Sequence, residues 1–468
     1  MVIVPSIFKS YDIRAIYPTQ LDEEGISLIT KAIYKFFTEK ISNEKQLSVL
    51  LSYDMRLSGP QLYEAVKQVL ISLGTRVIDI GKSSTPTFYF AVSHYNYDCG
   101  IQVTASHNPP EYNGLKFVIN TSKGLLKIGK STGMEEIKQA ALSGKVDYTP
   151  KFEGFIEAKT GVLEDEVENA LMIFNNPTVN KYKIVADPAN AMGGTYIEAL
   201  FKKIPAELIK MNFELDGSFP VHQPDPLNFD NLKDLQKKVL EEHADFGLAP
   251  DGDGDRLYFI DESGEIVPAT MITSLIAREM LQEHKGATIL FDIRYILGSR
   301  KIVEEFGGKY EITKVGHAFI TEALTKTGGI FAGESSGHFY YQATGNAESQ
   351  VATIVAVLKV MTREGKTLSQ VLSGLKRSFE SGEFNYEVNN APEILGALKD
   401  KYSDGELSEL DGVAISYPNW RFSVRTSNTE PLLRLNVESL DQTIMEQKRD
   451  ELKAEIERIS KTAVSSNH

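Results

Sequence analysis

One pattern recurs three times along this chain: an apolar run ends at an aspartate and is followed by a turn and a helix-like stretch. The aspartates are Asp54 in LSVLLSYDMRLSG, Asp187 in KIVADPANAMGG and Asp292 in ATILFDIRYILGS. Continuous apolar runs that end in turn residues are typical of strands buried on both faces of a sheet. The pattern therefore predicts three related α/β units.

Each unit is predicted to continue with two further strands, the second of which leads into a polar, glycine-bearing loop. The next strand candidates are TRVIDIG, AELIKMN and YEITKVG. The three loops are TASHNPPEYNG at 104–114, DGDGDR at 251–256 and GESSGH at 333–338. Because ligands of open α/β sheets bind beyond the carboxyl ends of the strands, these loops are the candidate site.

The C-terminal part of the chain follows a different pattern. The runs GVAISYP, RFSVRTS and PLLRLNVES predict a meander of short strands, and TIMEQKRDELKAEIERISKTA predicts an amphipathic helix. The unit is therefore expected to be α+β, and it carries a fourth polar loop, RTSNTEP at 425–431. The predicted domains are 1–150, 151–258, 259–375 and 376–468, with linkers at YTPKFEG and SFESGEF.

The bulk composition limits the classes of function. A net charge of −14 over 468 residues argues against general nucleic-acid binding, but not against a small phosphorylated substrate. The single cysteine, Cys99, cannot form an intrachain disulfide, which fits a reducing compartment. The N-terminal apolar stretch is short and broken by Pro5, and no apolar run approaches ~18–20 residues. We therefore expect a cytoplasmic protein without a signal peptide or a membrane span.

The loop DGDGDR is the most specific of the four. Asp251, Asp253 and Asp255 alternate with glycines, so in an extended loop their carboxylates face one side. A hard divalent cation relieves their repulsion, and three carboxylates with open coordination positions favour magnesium. A calcium-binding EF-hand is the rival, since Glu262 stands at its twelfth position. However, Arg256 replaces the glycine that the sixth position needs, and the flanks predict strands.

The loops at 104–114 and 333–338 are ambiguous when each is taken alone. Ser106, beside His107, could be a covalent relay or could cap the turn that Asn108-Pro109-Pro110 forms. Glu334, Ser336 and His338 could bind sugar hydroxyls or could belong to a polar turn.

The fourth loop predicts a phosphate site. Arg425 can grip phosphate with two parallel hydrogen bonds, and the three residues Ser427, Asn428 and Thr429 add short donors. The alternative is a hairpin connection with an exposed arginine. A serine relay, a divalent metal, a polyol grip and a remote phosphate site together describe phosphoryl transfer within a phosphorylated sugar.

Six motifs in this order make the sequence resemble the α-D-phosphohexomutase superfamily, and its phosphomannomutase/phosphoglucomutase group in particular. They are SYDIR at 10–14, TASHNP at 104–109, NGLK at 113–116, DGDGDR, GESSGH and RTSNTEP. The resemblance implies four domains around a central active-site cleft. It also implies interconversion of hexose 1-phosphate and hexose 6-phosphate through a phosphoserine enzyme and a 1,6-bisphosphate.

The resemblance also implies a role for each motif residue. Ser106 would carry the phosphoryl group and would share the Mg²⁺ ion with Asp251, Asp253 and Asp255. Arg14, His107 and Lys116 would serve with Ser106 in catalysis. The implied sugar-binding residues are Tyr11, Arg256, His317, Glu334, Ser336 and His338, and the implied phosphate-binding residues are Arg425, Ser427, Asn428 and Thr429.

Several finer expectations follow from the resemblance. Ser335 in the third loop favours mannose and glucose phosphates over glucosamine phosphate. Arg294 stands where many relatives have lysine, and Arg421 is a further possible phosphate contact. Glucose 1,6-bisphosphate or a similar compound is the expected activator, and the protein is expected to be a monomer or a homodimer. The alternatives are a phosphoglucosamine mutase, a catalytically silent sugar-phosphate-binding protein and a metal-dependent phosphatase.

Overall fold

Four sheets follow one another along the chain. The computed structural model describes residues 3–426 and 432–465. The first sheet has seven strands, and the other three have five strands each. Across those two described ranges, no helix combines the length and the apolar character that crossing a membrane requires.

The first unit packs four helices against its sheet. Two strands of this sheet lie outside the repeated pattern: one near the N-terminus and one after the last helix of the unit. Its strands are β1 (Ile13–Ile16), β2 (Ser48–Tyr53), β3 (Arg76–Lys82), β4 (Cys99–Val103), β5 (Tyr112–Thr121), β6 (Gly124–Lys127) and β7 (Phe155–Ala158), and its helices are α1 (Glu23–Lys40), α2 (Gly59–Ser72), α3 (Thr85–His94) and α4 (Met134–Leu142).

The second unit has five strands and three helices. The elements alternate along the chain until the last two strands, which follow β10 as an antiparallel extension. They are α5 (Val162–Ile173), β8 (Tyr182–Ala186), α6 (Gly193–Lys203), β9 (Ala206–Lys210), α7 (Lys233–Glu242), β10 (Phe246–Pro250), β11 (Leu257–Asp261) and β12 (Ile266–Val267).

The third unit has five strands and five helices. Helix α11 packs in a core that the second and third units share, and most of its residues are buried there. The elements are α8 (Ala269–Glu283), β13 (Thr288–Asp292), α9 (Leu297–Glu305), β14 (Lys309–Thr313), α10 (His317–Thr327), β15 (Phe331–Gly333), β16 (Phe339–Tyr341), β17 (Ala347–Glu348), α11 (Gln350–Glu364) and α12 (Leu368–Ser373).

The three units share one strand order, which confirms the predicted repeat. The orders β5-β4-β2-β3, β11-β10-β8-β9 and β16-β15-β13-β14 are equivalent, with the first pair antiparallel and the other pairs parallel. The repeated aspartates make the same turn. The carboxylates of Asp54, Asp187 and Asp292 each accept from the backbone N–H two residues further on, at 2.8–3.0 Å.

The fourth unit is an antiparallel sheet covered by helices, and the predicted meander is present as β20-β21-β22. Its apolar core includes Trp420, Phe422 and Leu435. The elements are β18 (Phe379–Glu387), α13 (Ala391–Lys401), β19 (Glu406–Ser408), β20 (Val413–Ser416), β21 (Trp420–Thr426), β22 (Leu432–Ser439) and α14 (Gln442–Ser465).

Two of the sequence expectations about connections differ from the structure. The boundary expected at 258 falls within β11, and the second sheet continues to Val267 because β11 and β12 pair as a hairpin. The expectation of a linker at SFESGEF was wrong, because β18 begins at Phe379 and pairs with β22. The serine and glycine that resemble a turn form a bulge between Glu380 and Glu383, where Gly382 has φ +77°.

Candidate active site

The loop after β10 brings three carboxylates together in the interior. Asp251, Asp253 and Asp255 are each at most 3% exposed, and each offers one oxygen within 4.8 Å of the others. The Oδ1 atom of Asp253 is buried and has no hydrogen-bond partner among the described residues. Oxygen donors at this spacing, one of them unsatisfied, fit a hard divalent cation such as Mg²⁺. The rival calcium loop does not form, since Glu262 accepts from Ser369 instead.

Lys116 supplies the protein's own counter-charge to this aspartate triad (Asp251, Asp253 and Asp255). Its Nζ donates to Asp253 Oδ2 at 2.5 Å and to Asp255 Oδ2 at 2.6 Å. Burial opposes the charged form, but the two carboxylates hold the pKa of Lys116 well above its usual range. Thr85, at the start of α3, donates to the same Asp253 oxygen at 2.6 Å. The first unit therefore positions the loop of the second.

Ser106 lies against the aspartate triad in an unusual backbone conformation. Its φ of +52° is in the left-handed region that a serine seldom adopts. The side-chain oxygen is 3.3 Å from Asp251 Oδ2 and 3.2 Å from His107 Nδ1. A Cβ on Gly252 would stand 2.3 Å from the Ser106 carbonyl oxygen, so only glycine permits this approach.

Arg56 holds the Ser106 loop in place, and the sequence analysis missed it. Its guanidinium donates to four carbonyl oxygens of that loop at 2.6–2.9 Å, and its side chain is fully buried. Asp54 pairs with it at 3.3 Å and also accepts from Thr104. The signal was present, because Arg56 follows Asp54 at the spacing by which Arg294 follows Asp292.

Two arginines lie close to His107, the neighbour of Ser106. Arg14 donates to Asp12 at 2.8 Å and to the Asn108 side chain at 2.5 Å. Arg256 Nε is 3.9 Å from Asp251 Oδ2, and its Nε and Nη1 lack hydrogen-bond partners among the described residues. Burial, together with Arg256 and Arg14, holds the pKa of His107 well below its usual range. His107 is therefore neutral at pH 7, in a pocket suited to an anion.

The loop after β15 faces the aspartate triad from the third unit. His338 links the two, with Nε2 3.2 Å from Asp255 Oδ1 and Nδ1 2.8 Å from Glu334 Oε2. Burial opposes the charge of the imidazole, but these carboxylates raise the pKa of His338 to about 9. Ser336 Oγ is 3.0 Å from the same Nδ1. Glu334, Ser336 and His338 are therefore brought together, and their binding of sugar hydroxyls stays a prediction.

The same loop is also tied to β13. Arg294 pairs with Asp292 at 2.9 Å and with Glu334 at 3.3 Å, and the N–H and Oγ of Ser335 both donate to Asp292 Oδ2. Tyr340 donates to Glu334 Oε2 at 3.2 Å. Burial works against it, yet His338 and Arg294 keep the pKa of Glu334 below its usual range. Glu334 is therefore an ionised acceptor.

Tyr11 and His317 lie together where the first unit meets the third. Tyr11 donates to the Val315 carbonyl at 3.1 Å, and its ring is 5.2 Å from that of His317. Burial, with Lys127 and Lys116 nearby, holds the pKa of His317 well below its usual range. His317 is therefore neutral, and Tyr11 packs against Gly316, whose N–H donates to Glu334 at 3.1 Å.

The fourth unit contributes Arg425 from β21. Its side chain is 2% exposed and donates to Glu383 at 3.3 Å. Burial first, and then Arg294, lower the pKa of Arg425. The other predicted phosphate ligands of this loop lie outside the described residues; they are Ser427, Asn428 and Thr429.

Three side chains of the fourth sheet anchor it to the segment after β13. Arg421, a possible phosphate contact by sequence, donates to the Arg294 carbonyl at 2.8 Å and so ties the fourth unit to the third. Asn436 donates to Tyr295 Oη at 2.9 Å. The carboxylate of Glu438 accepts from three successive backbone N–H groups at the start of α9, at 2.7–3.0 Å. Sequence reasoning missed Glu438, whose partners are distant in the chain.

Models of one family match most of the chain, unit by unit. They are described as the α/β/α domains I, II and III and the C-terminal domain of phosphoglucomutase/phosphomannomutase, and they match residues 5–144, 165–264, 269–379 and 383–455. A phosphomannomutase of Vibrio cholerae is 35% identical over 455 residues, covering 95% of this chain and 97% of the relative. A phosphomannomutase of Methanocaldococcus jannaschii is 35% identical over 454 residues, covering 96% of each chain.

A solved structure shows the same architecture. A phosphoglucomutase/phosphomannomutase family protein from Burkholderia thailandensis superposes with a TM-score of 0.86 at 29% identity, covering 98% of each chain. Because the superposition covers 98% of each chain, each of the four units has a counterpart in that structure. Together with the family models, these likenesses show that this chain belongs to the phosphoglucomutase/phosphomannomutase family and is a phosphohexose mutase.

Proposed function

We propose that this phosphohexose mutase carries the transferred phosphoryl group on Ser106. The observation that supports this most is the position of the Ser106 oxygen, 3.3 Å from Asp251 Oδ2 and beside the cationic side chains of Arg14 and Arg256. A phosphoryl group there would sit between the proposed metal and two guanidinium groups, which suits a loose, highly charged transition state.

We propose that Asp251, Asp253 and Asp255 hold one Mg²⁺ ion per chain. The buried, unsatisfied Oδ1 of Asp253 supports a cation at this point. When bound, the ion would neutralise charge on the transferring group. Lys116 already bonds to two of these carboxylates and remains protonated, so its part is electrostatic.

His107 is the group we propose for proton transfer at Ser106. Its Nδ1 lies 3.2 Å from the serine oxygen, within reach for a direct transfer. The lowered pKa of His107 leaves the ring neutral and able to accept a proton. Arg14, which bonds to Asn108 in the same loop, would position the phosphoryl group instead.

The remaining residues would bind the sugar phosphate. Glu334 and Ser336 would hold two neighbouring sugar hydroxyls, and Arg425 would hold the phosphate that does not react. Because a single serine serves both ends of the sugar, the 1,6-bisphosphate must turn over between the two transfers. The proposed wall of the cleft is completed by Tyr11, Arg256, His317 and His338, and the proposed phosphate ligands include Ser427, Asn428 and Thr429.

The preferred hexose stays a proposal: mannose or glucose phosphate, with glucosamine phosphate as the alternative. The names of the relatives support mannose phosphate. The side chain of Ser335, on which the sequence argument for this preference rested, bonds to Asp292. Activation by glucose 1,6-bisphosphate, a cytoplasmic location and a monomeric or homodimeric state also stay predictions.

Conversion of mannose 1-phosphate to the 6-phosphate, with Mg²⁺ and a trace of glucose 1,6-bisphosphate, tests the role of Ser106. We expect Ser106→Ala to lower kcat by about three orders of magnitude or more, because the covalent carrier is lost. Ser122→Ala, an exposed serine of the same unit, is the matched control and should keep the wild-type rate. A Ser106→Ala enzyme that keeps most of its rate would refute the proposal.

A further inference from the structure

Glu383 lies among three arginines at the junction of the third and fourth units. One of its carboxylate oxygens is 3.3 Å from Arg425 and 3.9 Å from Arg294, and the other is 3.3 Å from Arg434. The residue directly follows the bulge in β18, and bulges of this kind re-aim the side chains beside them. A single carboxylate thus faces guanidinium groups from the segment after β13, from β21 and from β22.

The arginines differ in how much they depend on Glu383. Arg294 also pairs with Asp292 and Glu334. Within the described part of the chain, Glu383 is the one carboxylate that forms an ion pair with Arg425. Since Arg425 is almost fully buried, its charge needs an anionic partner when no substrate is present.

We infer that Glu383 occupies the place of the non-reacting phosphate in the free enzyme and yields it when the sugar phosphate binds. The inference rests on the proposed role of Arg425 as a phosphate ligand. A phosphate carries more charge than a carboxylate and has three oxygens for the arginine forks. Glu383 is 25% exposed, so its carboxylate has solvent beside it to turn into.

This exchange has a consequence for selectivity. A small anion such as inorganic phosphate must displace Glu383 using its charge alone. A hexose phosphate also gains the hydroxyl contacts at Glu334 and Ser336, so it displaces Glu383 more readily. Displacing Glu383 costs both ligands the same free energy, so Glu383 lowers the affinity for each, and only a ligand that also gains the hydroxyl contacts binds well.

A purely supporting role for Glu383 would change the phosphate affinity of the Glu383 variant in the opposite direction. If the carboxylate only supports Arg425 and Arg434 in the geometry that phosphate needs, its removal disorders them and weakens phosphate binding. If it competes with phosphate, its removal strengthens binding. The direction of the change in affinity therefore separates the two roles.

The experiment is calorimetric titration of the full-length enzyme with inorganic phosphate, alongside steady-state kinetics. Glu383→Gln keeps the shape and removes the charge, and Glu387→Gln, exposed on the same strand, is the matched control. We expect Glu383→Gln to bind inorganic phosphate about tenfold more tightly and to show a lower KM, while Glu387→Gln matches the wild type.

Weaker or unchanged phosphate binding by Glu383→Gln would overturn the inference, and so would the absence of measurable binding by both proteins. The titration needs no turnover, so it is independent of the mutase assay. A wild-type enzyme that binds phosphate but converts no hexose phosphate would instead contradict the proposed function.

Discussion

The aspartate triad and the arginines around Glu383 mark two ends of the proposed active site, and these ends are built differently. At the aspartate triad, three units meet through direct bonds: Lys116 to Asp253 and Asp255, and His338 to Asp255. At the other end, the arginines around Glu383 belong to the third and fourth units and share one partly exposed carboxylate. The first end is closed and internally paired, whereas the second is held by a partner that solvent reaches.

This difference matches the two tasks of the proposed reaction. Phosphoryl transfer needs groups fixed before the substrate arrives, because preorganised charges do not reorganise during the reaction. The remote end must accept either phosphate of the bisphosphate in turn, so it needs a replaceable anion. In the proposed reaction, phosphoryl transfer therefore takes place at the internally paired end and phosphate exchange at the end held by Glu383.

The largest effect should come from breaking the rigid end. Asp253→Asn removes one carboxylate charge from the aspartate triad, and we expect mutase kcat to fall by about 10²-fold or more in saturating Mg²⁺. Asp230→Asn, an exposed aspartate of the same unit, serves as the control. A variant at position 253 with a rate near wild type would show that the aspartate triad is not where the chemistry occurs.

The next largest effect should be on stability, when the ion pair between the first and third units is broken. Lys127 Nζ is 2.5 Å from Glu348 Oε2, and both side chains are at most 1% exposed. Lys127→Met leaves a buried carboxylate unpaired, so we expect the free energy of unfolding in urea to fall by about 3–5 kcal/mol. Lys127→Met/Glu348→Gln should recover much of that loss. A single variant as stable as the wild type would contradict a rigid joint.

The anchor of the fourth unit should give a smaller change. Glu438→Gln replaces an acceptor of three backbone N–H groups by a side chain with one acceptor oxygen. We expect a loss of about 1–3 kcal/mol in stability and faster amide exchange over residues 294–298. Unchanged exchange in that segment would mean that Glu438 does not hold the fourth unit there.

The smallest effect concerns pH, through Glu380 beside this anchor. Burial and the neighbouring Glu438 raise the pKa of Glu380 to about 8. A carboxyl group with a raised folded-state pKa contributes stability at low pH, and this contribution is lost as the pH rises towards that value. We expect the wild-type Tm to fall between about pH 5 and 8, the interval between the ordinary and the raised pKa, and the fall to be smaller in Glu380→Gln. An equal change of Tm with pH in both proteins would show that Glu380 is not its cause.

The sequence predicted the elements whose signals are local. The three aspartate turns, the repeated α/β units and the convergence of Asp251, Asp253 and Asp255 follow from runs of fewer than 15 residues. Arg56, Glu383 and Glu438 escaped because their partners are far away in the chain, for example 141 residues between Glu438 and Leu297. Glu383 was also missed because Ser381-Gly382, which forms a bulge in β18, has the composition of a turn.

The central claim, that Ser106 is the phosphoryl carrier, is tested most directly by peptide mass spectrometry of the purified enzyme after incubation with glucose 1,6-bisphosphate and Mg²⁺. The account predicts one added phosphate on the peptide that contains Ser106, removed on incubation with excess hexose phosphate and absent from Ser106→Ala. A catalytically active enzyme with no phosphate on this peptide, or with the phosphate on another residue, would contradict it.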